Sequence, residues 1–131
     1  MTKASGTFHV ESWDEHTYGE LDGGGKLTRA SVTQTFAGDI AGDGSVEYLM
    51  CSAPGATTRV LGLQRVDGRV GDRSGSFVLE TTATFDGQEV KGAWSVVSGS
   101  GTGELAGLRG DGTFVAPLGS DASVSLDYEL A

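Results

Sequence analysis

Residues Phe77 to Val97 read FVLETTATFDGQEVKGAWSVV, two alternating runs around Asp86-Gly87. Asp-Gly between such runs is the strongest short-range hairpin signal, because a two-residue turn needs left-handed backbone that Gly adopts without strain. A turn of that length pairs Phe85 with Gln88. Counting outward sets Ala83 against Val90, Thr81 against Gly92, Leu79 against Trp94 and Phe77 against Val96, so one side of the ribbon is apolar. The other side carries Val78 with Ser95, Glu80 with Ala93, Thr82 with Lys91 and Thr84 with Glu89, a face suited to water.

The same alternation recurs along the chain. Gly6 to Trp13 sets Phe8 and Val10 against Thr7, His9 and Glu11, a first strand with His9 turned to solvent. Asp14 to Gly25, acidic and ending in three glycines, is expected to be a polar flap or barrel-end loop. Lys26–Ile40 and Ser45–Ser52 make the next pair, joined through residues 41–44. An even-length loop there groups Val32 and Phe36 with Glu47, Leu49 and Cys51, and Val46, Tyr48 and Met50 with Arg29, Ser31, Thr33 and Thr35. Neither group is cleanly apolar, the pattern of a sheet with a cavity inside and a contact between copies outside. Thr57 to Val70 returns through residues 71–74. Pairing Val70 with Gly75 puts Arg65 opposite Glu80 on the wet face and Gln64 opposite Thr81 inside.

Ser98 to Gly110 is a glycine-punctuated connection with one helical turn over Gly103 to Leu108, and it lacks the Lys-Ser/Thr pair that closes a phosphate loop. Gly112–Ala116 and Ser123–Leu130 complete the strands. Eight strands joined mostly by short turns make an all-β meander, which removes its exposed edges by closing. The expected fold is a closed eight-stranded antiparallel up-and-down barrel, a single domain over residues 1–131; the alternative is an open two-sheet sandwich.

Composition narrows the function. A net charge of -9 leaves no basic surface for a nucleic-acid partner. No apolar run is long enough for a membrane-spanning helix. Cys51 is alone, so no internal disulfide forms, and the N-terminus lacks the apolar run of a signal peptide; a cytoplasmic location is expected. No cofactor motif and no Gly-x-Ser-x-Gly elbow occurs. His16 lies beside Asp14 and Glu15, but two histidines and one cysteine are too few for a zinc centre, and no metal site is expected.

The inward face of the central hairpin supplies the candidate site. Phe77, Leu79 and Trp94 are either plain core or the wall of an apolar pocket, in which Gln64 and Thr81 orient a ligand and Tyr48 and Met50 share the lining. The candidate catalytic groups are Gln64, Glu47 and Tyr48. Glu47, between apolar neighbours, is expected on the outer face; turned inward it would be the best acid or base in the chain. Cys51 reads as a small core residue.

The segments GTFHVESWDE, KLTRASVTQTFAGD, SVEYLM, GLQRVDGRVGDRSGSFVLETTATFDG and SGTGELAGLRGDG resemble, in order and spacing over nearly the whole chain, a bacterial family of small proteins catalogued as a domain of unknown function. The resemblance implies a barrel like that of allene oxide cyclase, and by analogy of fold alone a cyclase or isomerase that positions an apolar small molecule. The alternative is a non-catalytic binding barrel, or a filled barrel with a structural or interaction role; a homo-oligomer is a further expectation. This chain departs from the family pattern, which often has Gln and His at the places of Glu80 and Thr81 and Glu at that of Gln64. Gln64 and Thr81 do not titrate near neutral pH, so acid–base chemistry resting on that pair would be lost here.

Overall fold

The computed structural model of the protein describes residues 1–130. Eight strands, β1 (Thr2–Glu20), β2 (Lys26–Gly38), β3 (Ile40–Ser52), β4 (Thr58–Val70), β5 (Arg73–Phe85), β6 (Glu89–Val96), β7 (Arg109–Pro117) and β8 (Ala122–Glu129), run in order around a closed barrel. Each is antiparallel to its neighbours, and β8 closes on β1 through Thr2↔Tyr128 to Phe8↔Ala122. The expected barrel is therefore the fold, and the open sandwich is not. Among the described residues no helix is long and apolar enough to cross a membrane.

The central hairpin keeps the expected faces but not the expected register. Phe85 pairs with Val90, Thr81 with Trp94 and Leu79 with Val96. The cause is Asp86: its Oδ1 accepts the backbone N–H groups of Gln88 and Glu89, each at 2.9 Å, which lengthens the turn to four residues. Those two hydrogen bonds also hold the Asp86 carboxyl below its usual pKa. The β4–β5 register moves by two as well, because Gly71-Asp72 alone make the turn and Val70 pairs with Arg73. Gln64 then lies opposite Leu79 and Arg65 opposite Val78. The expected Arg65–Glu80 ion pair does not form, and the carboxylate near Arg65 is Asp67 at 3.9 Å. A slip of two leaves inside and outside unchanged.

The β2–β3 register departs from the expected one by seven residues, an odd number, which does change them. The chain reverses at Asp39, so Val32 pairs with Val46, Ala30 with Tyr48 and Thr28 with Met50. Val46, Tyr48 and Met50 thus join Val32 and Phe36 inside, and Glu47 and Leu49 stand outside beside Ser31 and Arg29, reversing the grouping an even loop predicts. Asp39 makes the corner by bonding sideways. Its amide donates to the Ser5 carbonyl at 2.9 Å, its Oδ2 accepts from the Ser5 amide at 3.0 Å, and its carbonyl accepts from the Gly71 amide at 2.7 Å. Gly38, at φ 109°, passes Gly6 so closely that a Cβ there would lie 2.8 Å from the Gly6 Cα.

The expected flap over residues 14–25 is mostly strand. Asp14 to Glu20 pair with Ser31 to Lys26, leaving residues 21–25 as the turn. Bulges between Val10 and Ser12 and between Thr17 and Gly19 reset which side chains face in, so the polar run does not read as a clean alternation.

An up-and-down meander sends alternate connections to opposite ends. One end carries the corner at Asp39, the turn at Gly71-Asp72 and the long connection 97–108, whose single 3-10 turn, Gly103–Leu105, lies over the barrel mouth. Leu105 and Leu108 are buried there with Ile40, Val66, Val70, Phe77 and Leu126, and Thr102 is pinned to Ser76 by backbone and side-chain hydrogen bonds. Each such buried aliphatic or aromatic side chain stabilises the fold by roughly 1.5–3 kcal/mol. The other end has only the short turns 21–25, 53–57, 86–88 and 118–121, and nothing fills it.

Candidate functional site

The unplugged end holds a cavity of about 700 Å³. Its wall is mostly apolar: Val60, Ala83, Phe85, Val90 and Ala116 from β4 to β7, with Met50 and Tyr48 from β3. Four rings make a layer beneath it. Phe8 and Phe114 face the cavity, and Phe36 and Trp94 pack below, with centroids 5.0–6.3 Å apart in tilted pairs. Gly92 makes room for this layer, since a Cβ there would fall 2.3 Å from the Phe114 ring.

Three buried polar side chains, Thr28, Gln34 and Tyr48, interrupt the apolar depth. Gln34 and Tyr48 both line the cavity. Gln34 Oε1 accepts from Gln64 Nε2, so a buried hydrogen-bonded pair runs from the plugged half to the cavity. Burial pushes the Tyr48 phenol up to about 12, against a smaller downward pull from Gln34. It stays neutral at physiological pH and can donate or accept without ionising.

The mouth is lateral because β1 outlasts its neighbour. From His9 onward β1 pairs with β2 on one edge and has no strand on the other, facing the 118–121 turn across a gap. His9 Nδ1 meets Asp121 Oδ1 at 2.8 Å across that gap, a contact that raises the His9 pKa. Trp13 and Glu15 hang from the inward face of β1, opposite Val32 and Ala30. The Trp13 indole donates to Glu15 Oε1 at 2.7 Å and lies 6.1 Å from the Tyr48 ring. Val10, Trp13 and Leu118 are 40%, 49% and 65% exposed around this opening, an unusual density of large apolar surface at a rim.

Of the sequence candidates, Tyr48 and Met50 line the cavity. Phe77, Leu79, Thr81 and Trp94 point into the barrel as their alternation requires, but below the ring layer or within it, and none of them lines the open space. Gln64 is buried one hydrogen bond away from it. Glu47 is on the outer face, where the Ser31 hydroxyl at 2.9 Å and the Arg29 guanidinium at 2.7 Å hold its pKa down. Cys51 is half-buried. Leu49, Leu61 and Leu63 form an exposed apolar cluster on the outside of β3 and β4.

Sequence reasoning missed Gln34, although it alternates with Val32 and Phe36 and is a polar member of an inward row. His9 is exposed as its alternation predicts, but its tie to Asp121 was not foreseen. Asp121 carries no local signal, since only barrel closure brings it to His9.

Comparison places these features in a family context. A family model described as a protein of unknown function (DUF3224) matches residues 4–128. A crystal structure of a DUF3224-family protein of unknown function from Shewanella oneidensis MR-1 superposes with a TM-score of 0.85 at 26% identity, over 100% of this chain and 98% of that one. No curated protein matches the chain.

Proposed function

This chain belongs to the DUF3224 family of unknown function, and since that description names no reaction we propose a function from the geometry: the barrel binds one apolar small molecule in its unplugged half. The observation that carries this reading is the cavity itself. At about 700 Å³ it falls within the roughly 300–1,000 Å³ of ligand pockets, and its largely apolar wall with a few buried polar groups has the composition of such sites. Gln34 and Tyr48 orient the ligand by hydrogen bonds to a neutral polar group, and the exposed Val10, Trp13 and Leu118 form the entry.

The test is titration with Nile red, a neutral apolar dye. Saturable binding at one site is expected in the natural protein, with loss in Ala83→Phe, which fills the cavity from a wall position. A protein that shows no saturable binding, or an Ala83→Phe variant that binds as well as the parent, overturns the reading.

A second reading, a cyclase or isomerase that holds a flexible substrate folded, rests on the His9–Asp121 couple. Asp121 engages Nδ1 and leaves Nε2 free at the cavity mouth, the arrangement in which an imidazole moves a proton. Proton NMR of a ligand recovered after incubation, which distinguishes isomers of equal mass, separates the two. Unchanged ligand supports a carrier, and a rearranged product that disappears in His9→Gln supports the isomerase.

A further inference from the structure

We propose that the ligand of this cavity carries a cationic amine, seated at the mouth against the Glu15 carboxylate and the faces of Trp13 and Tyr48; the inference rests on the ligand-binding reading above. Among the described residues no Lys or Arg side chain lines the cavity, and its ionisable lining groups are His9, Glu15, Tyr48 and Asp121. Tyr48 is neutral. His9 and Asp121 are matched to each other at 2.8 Å. Glu15 remains, with no cation within ion-pair distance, and its Oε1 already takes the Trp13 indole N–H. Its second oxygen is available to a ligand.

The choice among ligand chemistries follows from what each does to that carboxylate. An apolar body entering past Trp13 strips water from Glu15. A ligand carboxylate adds like-charge repulsion with no basic side chain to offset it, and a neutral end leaves the desolvated charge unmatched. An ammonium group matches it, and within about 6 Å of the Trp13 and Tyr48 rings it also gains attraction to their negative faces. The chain's net charge of -9 acts in the same direction at longer range.

The experiment is calorimetric titration at pH 7 and low salt with three probes of one shape: 4-(1-naphthyl)butylamine, the corresponding butanol and the corresponding butanoate. The amine is expected to bind about tenfold tighter than the alcohol, with the butanoate weakest. Glu15→Gln should erase the amine's advantage, weakening the amine while the alcohol, whose neutral end no longer leaves a desolvated charge unmatched, binds at least as tightly as before. Asp14→Asn, which removes a neighbouring charge directed away from the cavity opposite Ser31, should leave the order intact. Equal binding of amine and alcohol, or an advantage that survives Glu15→Gln, overturns the amine assignment while Nile red binding keeps the cavity reading standing. If Nile red and all three probes fail to bind, both fall together.

Discussion

Thr81 is 2% exposed and its hydroxyl oxygen has no hydrogen-bond partner, the sole buried side-chain polar atom in that state among the described residues. It lies between Gly62 and Trp94 on β5, beneath the ring layer and out of the cavity. Burying a hydroxyl without a partner costs about 1–3 kcal/mol in proteins. Valine has the same shape and branching, so Thr81→Val removes that cost while keeping the packing and the strand preference. The variant should be more stable by about 1–2 kcal/mol, raising the melting temperature by roughly 3–8 °C for a chain of this length. Thr81→Ser is the control, because it keeps the hydroxyl and deletes a buried methyl, and should lose about 1 kcal/mol. Urea unfolding followed by tryptophan fluorescence measures both, with unchanged m-values as the check that the unfolded state is not what moved. A Thr81→Val protein less stable than its parent by 1 kcal/mol or more would refute the reasoning, since it would mean that the hydroxyl is bonded after all, as by a water reaching down past the rings.

Three further outcomes follow from the same geometry. Gly92→Ala forces the Phe114 ring away from a contact at 2.3 Å; it should cost about 1–3 kcal/mol of stability and weaken Nile red binding by pushing the ring into the cavity, and normal affinity would show that the layer yields elsewhere. Gln34→Leu strands the Gln64 amide and should cost about 1–3 kcal/mol, whereas Gln34→Leu with Gln64→Leu should recover a large part, so a double-mutant cycle with no coupling between the two would break the proposed pair. The His9 imidazole, raised by Asp121 above its ordinary 6.5, makes a tie that is fully present below pH 6.5 in the folded protein and is lost as pH rises through the raised value; proton NMR titration should show His9 above 6.5 and a return toward it in Asp121→Asn, and a His9 value at or below 6.5 in the parent would remove the tie.

The barrel was legible in the sequence because side-chain alternation has a period of two and survives even errors of register. The Asp86-Gly87 turn came out two residues long by inspection and four in the protein, yet Phe77, Leu79, Thr81 and Trp94 still face inward. Where the error was odd, at the Asp39 corner, inside and outside changed places for Val46 to Met50. Local sequence could not reveal that corner, since its geometry is fixed by Ser5 and Gly71, more than thirty residues away in either direction.

Alternation says which residues face in, but a site also depends on height along the barrel axis, and a slip of two residues shifts a side chain by about 6.7 Å, more than a layer of packing. Strand order alone fixes much of that height. In a meander of eight strands the β6–β7 connection must lie at the same end as the termini and the β2–β3 and β4–β5 connections, and it is the one connection long enough to fold back as a plug. Inward residues near the start of β5, such as Phe77 and Leu79, therefore belong to the plugged half, and those near its end, Ala83 and Phe85, to the open one. By the same rule Tyr48 and Met50 near the end of β3 and Val60 near the start of β4 are wall, while Val66 and Val70 are packing. Exchanging the lengths of two connections, so that the long one fell between β5 and β6, would move the plug to the other end and place the cavity against Phe77 and Leu79 with no change in any strand's alternation.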